Sequence, residues 1–234
     1  MAKDKRRFIF DYYHPESVAG TEFRRLLHNV TRPVNGVTRK SFLITSSMLA
    51  EGKSTVSSYL AITAASYKKK KTILIDCDLR RPVIHKMFNL PLEHGVTDLI
   101  DGTIKAEDAF KSTPIKNLYV LTAGTLKENP TELFEGDAVK GAIDQVKFYF
   151  DLIFIDCAPI LPVSDPVVLA PELDGLLLVV KAGSTQKEVV KRACDIVGKS
   201  EANIVGIVLN NMEGVLPYHY NYQYYGHNYS TKKR

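Results

Sequence analysis

The chain has 234 residues, 45% of them hydrophobic, which is enough for one sizeable core and falls within the single-domain range of α/β proteins. Its 31 basic against 26 acidic residues leave a formal charge of +5, a mild excess that suits a nucleotide or an acidic membrane surface and demonstrates neither. The longest apolar runs, such as 175–180 and 204–209, are of strand length, which excludes a transmembrane span. Lys3, Lys5, Arg6 and Arg7 precede only Phe8, Ile9 and Phe10, too short a stretch for a signal peptide, so a cytoplasmic protein is expected.

Residues 1–40 are polar and carry one helical pattern over 21–30, with Phe23, Leu26, Leu27 and Val30 on one face and Pro33 and Gly36 to end it. From Ser41 onward short apolar runs alternate with helical patterns. Strands are expected at 42–45, 72–76, 118–122, 152–156, 175–180 and 204–209, and helices at about 54–67, 132–148 and 185–199. The runs are continuous rather than alternating, as in strands covered on both faces. The expected fold is therefore α/β: a mostly parallel central sheet with helices on both faces, whose ligands sit at the carboxyl ends of the strands.

Ser47-Met48-Leu49-Ala50-Glu51-Gly52-Lys53-Ser54-Thr55 follows the first of these strands and opens an amphipathic helix, the context a P-loop requires. Amides of the loop and of the helix start would face phosphates, Lys53 would pair with the β and γ oxygens, and the Ser54 hydroxyl would coordinate Mg2+. Gly52 would let the backbone approach. Ser47 stands where the usual pattern has its first glycine. An ordinary helix start, with Ser47 as cap and Lys53 in solvent, is the alternative.

Two more strand ends supply carboxylates. The run 73–75 leads into Asp76, Cys77 and Asp78, and 153–155 leads into Asp156, followed by Ala158 and Pro159. Beside a P-loop strand all three acids would gather near the Mg-phosphate. The cysteines Cys77, Cys157 and Cys194 have no metal-like spacing and are expected to be small buried hydrophobes. The segment 68–71 reads as a solvated turn, and no nucleic-acid recognition motif is present. Residues 218–229 hold Tyr218, Tyr220, Tyr222, Tyr224, Tyr225 and Tyr229, half of the chain's 12 tyrosines, in a segment nearly without aliphatic residues that reads as flexible and exposed.

Taken together, Glu-Gly-Lys-Ser-Thr in the P-loop, Ile-Asp-Cys-Asp-Leu-Arg-Arg-Pro, the stretch 151–159 and the terminal tyrosine cluster resemble the bacterial tyrosine kinases of polysaccharide export, over roughly residues 20 to 230. The resemblance implies a P-loop NTPase of the deviant-Walker, partitioning-ATPase-like type, divided into an N-terminal segment with an oligomerisation helix (1–40), a kinase domain (41–214) and a tyrosine-rich tail (215–234). It implies ATP and Mg2+ as cofactors and autophosphorylation of the tail tyrosines in trans, in the service of exopolysaccharide or capsule synthesis. Lys53 and Ser54 form the implied P-loop pair, with Ser47, Ala50, Glu51, Gly52 and Thr55 around the phosphates. Asp76 and Asp78 help hold Mg2+ with Ser54 and Asp156, Asp76 is the base for the attacking phenol, and Asn210 meets the adenine. A phenol with a pKa near 10 attacks poorly unless its proton is removed as the bond forms, so a carboxylate beside the γ-phosphate meets a real need. Arg80 or Arg81 would neutralise phosphate charge, tie down the loop, or lie in solvent.

The implied partners are copies of the chain itself, arranged as a ring, a membrane-bound activator with a cytoplasmic segment, and a cognate phosphotyrosine phosphatase. The implied place is the cytoplasm at the inner face of the cell membrane. In residues 23–29 the aromatic, first arginine and asparagine of the family's ring signature are matched, but Leu27 takes the second arginine's place and Glu22 is displaced by one. Two other readings stand beside this one. A partitioning or division-site ATPase switch would carry a signature lysine where this chain has Met48, and a non-catalytic nucleotide-binding scaffold would explain Ser47 and Ala50.

Overall fold

The computed structural model describes residues 8–134 and 137–211. The tail tyrosines and the basic residues at positions 3–7 lie outside the described residues. Helix α1 (Val18–Thr31) precedes strand β1 (Ser41–Ser46), helix α2 (Lys53–Ser66) and strand β2 (Thr72–Cys77). Three short helices follow, α3 (Ile84–Phe88), α4 (Val96–Ile100) and α5 (Ala106–Ala109). Then come β3 (Lys111–Ser112), β4 (Leu118–Leu121), α6 (Asp137–Tyr149), β5 (Leu152–Cys157), α7 (Asp165–Leu169), β6 (Gly175–Lys181), α8 (Lys187–Gly198) and β7 (Ile204–Asn210).

The strands form one sheet in the order β3-β4-β2-β5-β1-β6-β7, parallel except for the short β3 against β4. The expected mostly parallel sheet is therefore present, and every expected strand is found within a residue or two. Side chains alternate between two cores. Phe42, Ile44, Leu74, Phe154, Leu177 and Val179 face α1 and α2, while Leu43, Ile73, Ile75, Ile153, Ile155 and Leu178 face the layer of α4, α6 and α8. Cover on both faces explains why β1, β2, β5 and β6 are continuously apolar, whereas β7, at the edge of the sheet and expected to be covered in the same way, leaves Ile207 and Leu209 50% and 51% exposed.

Three sequence expectations are corrected. Helix α1 begins before residue 21, because Ser17 caps it by accepting from the Gly20 N–H at 3.0 Å. Helix α2 is buried nearly all round rather than amphipathic, since α1 lays Phe23, Leu26, Leu27 and Val30 over its outer side. Its Ser57, Ser58 and Thr63 are tolerated there because their hydroxyls donate to carbonyls within the helix, of Ser54, Ser54 and Tyr59 at 3.1, 2.7 and 2.6 Å. The helix expected over 132–148 is instead a 3-10 turn at Pro130–Phe134 followed by α6. Of the cysteines, Cys77 and Cys157 are buried and Cys194 is half-buried on α8.

Chain order reverses around β1 and β5. The connection through α2 carries the chain from β1 to β2 across β5, so the carboxyl ends of β1, β5 and β2 stand side by side. Ligands of open α/β sheets bind at such a point.

Candidate nucleotide site

The loop between β1 and α2 is shaped by two left-handed residues, Ala50 at φ +61° and Gly52 at φ +91°. A Cβ at Gly52 would stand 2.0 Å from the side-chain nitrogen of Asn210 and would displace that amide, on a backbone whose left-handed φ already favours glycine. That nitrogen donates to the Glu51 carbonyl oxygen at 2.9 Å, which ties the end of β7 to the loop.

Glu51, named from the sequence among the phosphate-loop residues, is 3% exposed and turns inward. Its Oε2 accepts from the Met48 N–H at 2.6 Å, and its Oε1 accepts from the Lys181 N–H at 3.3 Å and from the Thr185 hydroxyl. The carboxylate thus fastens the loop to itself and to the β6–α8 connection. No hydrogen bond among the described residues uses the N–H groups of Leu49, Ala50 or Gly52. Ser47 is fully buried with an unpartnered hydroxyl, and Thr55 is exposed on the first turn of α2. A groove of about 440 Å3 runs alongside, lined among others by Met48, Leu49, Lys181, Thr185 and Val189, within the size range of small-ligand clefts.

Lys53 begins α2 and reaches the acids. Its ammonium lies 2.7 Å from Asp78, 3.6 Å from Asp156 and 3.3 Å from the Ser54 hydroxyl. Burial alone would lower its proton affinity, but the charges of Asp156 and Asp78 outweigh that and raise it. Asp76 and Asp156 are register partners across β2 and β5, which is how two strand-terminal acids come to share one corner.

Asp76 faces a different way from Asp78. Its Oδ2 accepts from the Val83 and Ile84 N–H groups at 3.1 and 3.0 Å, and its Oδ1 accepts from the Asp78 N–H at 3.3 Å, so it also fixes the 78–83 loop at the start of α3. Burial pushes the Asp76 carboxyl up, to about 8, and the neighbouring Asp156 charge adds to this. Burial pushes Asp156 up as well, against the pull of the Lys53 ammonium.

Neither oxygen of fully buried Asp156 accepts a hydrogen bond of normal geometry. A buried carboxylate with both oxygens free of hydrogen bonds, held only by the Lys53 charge and set beside a hydroxyl and a second acid, suits a hard divalent cation. Among the described residues no three acidic, histidine or cysteine side chains cage a metal by themselves. A cation here would take the rest of its ligands from phosphate and water, as Mg2+ does at nucleotide sites.

Two supports were not read from the sequence. Asp165, fully buried at the start of α7, pairs with Arg80 at 3.4 Å, so Arg80 braces the loop after β2. The Thr45 hydroxyl donates to the Ala158 carbonyl at 2.6 Å and joins β1 to the segment after β5. Arg81 donates its backbone N–H to Asp78 Oδ1 at 3.1 Å while its side chain is exposed.

A family model described as ParA: NUBPL iron-transfer P-loop NTPase matches residues 38–232. The chain is 36% identical over 214 residues to the putative tyrosine-protein kinase CapB of Staphylococcus aureus, covering 91% of this chain and 93% of that protein. It is 32% identical over 221 residues to the tyrosine-protein kinase YwqD of Bacillus subtilis strain 168, covering 94% and 92%. Among solved structures, the chimerical protein CapA2B2 aligns with a TM-score of 0.80 at 29% identity, over 86% of this chain and 88% of that one.

Proposed function

This chain belongs to the bacterial tyrosine-kinase family, on a ParA-like P-loop domain, and from that premise we propose that it uses Mg2+-ATP to phosphorylate the tyrosines of its own tail in trans. The observation that carries the assignment of the site is the Lys53 ammonium at the start of α2, within 3.6 Å of both Asp78 and Asp156. Bound Mg2+-ATP supplies the γ-phosphoryl group and the charge neutralisation under which a phenol can approach it.

The chain's own groups do the rest. Lys53 balances the phosphate charge, Ser54 and Asp156 with Asp78 hold the cation, and the free amides of the loop receive phosphate oxygens. Asp76 takes the phenolic proton. A carboxylate has about four lone-pair sites and Asp76 uses three on backbone N–H groups, which leaves one for the substrate. Its raised proton affinity favours the transfer. Asn210 holds the loop from the side and borders the base.

Tyr218, Tyr220, Tyr222, Tyr224, Tyr225 and Tyr229 are the acceptors. Each phosphate adds a charge of about −1.5 to −2, and this accumulation loosens an assembly of identical chains held through α1. A membrane-bound activator with a cytoplasmic segment promotes nucleotide binding, and a phosphotyrosine phosphatase resets the tail. The service is to exopolysaccharide or capsule synthesis at the inner face of the cell membrane. No helix among the described residues is long and apolar enough to cross a membrane.

The test is a mixing experiment. A chain truncated after Pro217 is combined with a full-length Lys53→Met chain in Mg-ATP, and phosphotyrosine is read on the full-length one. Phosphate on the inactive chain supports transfer in trans. Phosphate appearing only when one chain carries both an intact Lys53 and its own tail refutes it.

A further inference from the structure

The end of the molecule opposite the P-loop carries a second, unassigned surface. It is formed by the amino ends of the parallel strands and the connections that feed them. Arg32, Arg39 and Lys40 lie between α1 and β1, Lys69 and Lys70 between α2 and β2, and Lys116 just before β4. Backbone hydrogen bonds place these connections together: Ile153 N–H donates to the Lys40 carbonyl, Leu152 N–H to the Lys71 carbonyl and Thr72 N–H to the Asn117 carbonyl. The Lys68 ammonium reaches the Thr31 hydroxyl and so joins the ends of α2 and α1.

Among the described residues none of the six named cations lies within ion-pair distance of a carboxylate. Of the acids in these connections, Glu172 lies 3.9 Å from Lys140, Glu201 is exposed, and Asp151 and Asp174 are turned to the backbone. Asp151 accepts from the Lys71 N–H, and Asp174 from the Lys40 and Ser41 N–H groups. Burial, and after it the neighbouring Lys70 charge, pushes the Lys68 ammonium down.

In the same connection as Arg32, Arg39 and Lys40 there is an apolar turn. Asn35 and Gly36, at φ +51° and +80°, make the tight turn that favours a two-residue hairpin. Val34 and Val37 exchange two backbone hydrogen bonds of 3.0 Å across it, so the tip is fixed rather than loose. Their side chains are 38% and 67% exposed.

We propose that this end of the molecule docks directly on anionic lipid, with Val34 and Val37 seated among the headgroups and Arg32, Arg39, Lys40, Lys69, Lys70 and Lys116 on lipid phosphates. Cations without a carboxylate partner match an anionic surface, and exposed apolar side chains in the same connection as three of them match the boundary between headgroup and acyl chain. Nucleic acid would satisfy the charge but would leave the valines in contact with water or phosphate. Docked this way, the nucleotide site at the carboxyl ends of the strands faces away from the bilayer, open to a neighbouring copy. The inference does not depend on the kinase reading, because it concerns the opposite end of the sheet.

Flotation of the full chain without nucleotide tests it. Vesicles of phosphatidylcholine with about one third phosphatidylglycerol are compared with pure phosphatidylcholine vesicles. The chain is expected to float with the anionic vesicles and not with the neutral ones. Lys69→Glu with Lys70→Glu should weaken this on the order of a hundredfold, and Val34→Ser with Val37→Ser about tenfold, with nucleotide binding unchanged in both. Equal binding to neutral vesicles, binding that survives the lysine reversals, or binding indifferent to the valines would overturn the proposal. So would capture of duplex DNA by a chain that ignores both kinds of vesicle.

Discussion

The side-chain amide of Asn210 donates to the carbonyl oxygen of Glu51 at 2.9 Å, so the last strand of the sheet holds the phosphate loop in place across 159 positions of sequence. Adding a methyl at Gly52 would drive into that amide and would also strain a left-handed backbone. Gly52→Ala should therefore cost about 1–3 kcal/mol of stability and weaken ATP binding more than Asn210→Ala does. Chemical denaturation and binding of a fluorescent nucleotide measure the two effects. Equal affinity in wild type and Gly52→Ala would remove this account of the loop.

Glu51 is the second restraint on the same loop. Its carboxylate accepts from Met48, Lys181 and Thr185, and an amide in its place would set an NH2 group against at least one N–H donor. Glu51→Gln should lower nucleotide affinity by about ten- to a hundredfold, consistent with about 1.5–3 kcal/mol for a buried bond to a charged group. Asp would be too short to reach both sides, so Glu51→Asp should not restore affinity. Titration calorimetry with ATP decides this, and wild-type affinity in Glu51→Gln would show the clamp to be dispensable.

Lys53 and the acids form one electrostatic unit. Lys53→Met should reduce phosphotransfer by at least about a hundredfold and also destabilise the fold, since Asp78 and Asp156 lose their counter-charge in a buried site. Asp76→Asn should abolish transfer while nucleotide still binds. Single-turnover assays with thermal melting of each variant separate the roles. An active Asp76→Asn variant would exclude that carboxylate as the proton acceptor.

Asp174 makes a prediction about pH. Burial tends to raise its carboxyl, but the N–H groups of Lys40 and Ser41 and the Ser41 hydroxyl, at 2.7, 2.8 and 2.9 Å, together hold it below the usual range. A carboxyl with a depressed folded-state pKa contributes stability that is fully present above its unfolded value, about 3.9, and is lost as pH falls through the folded value. The stability gap between wild type and Asp174→Asn should accordingly be largest near neutral pH and shrink under acid. Urea midpoints across that range measure it, and a gap that widens on acidification would contradict the assignment.

Much of the site was readable because its signals are local. Strand, loop and helix around Gly52-Lys53-Ser54 appear within one short stretch, and a strand-terminal aspartate is visible in its own run, so Asp76, Asp78 and Asp156 could be placed before any coordinates. What escaped depends on partners far along the chain. Glu51 reads as one more loop residue until β6 brings Lys181 and Thr185 to it. Asp165 reads as a helix start until Arg80 arrives from the loop after β2. The burial of α2 was missed for the same reason, because only the packing of α1 reveals that its outer face is covered. Ala50 sits at φ +61°, a left-handed conformation that favours glycine, which is why glycine is usual at that position of the loop.

The most direct measurement is the intact mass of the full chain after incubation with Mg-ATP, before and after phosphatase treatment, beside a chain truncated after Pro217. A ladder of added phosphates that phosphatase removes and truncation abolishes is the predicted result. ATP hydrolysis without any added phosphate, or phosphate that persists on the truncated chain, would contradict a kinase directed at its own tyrosine tail.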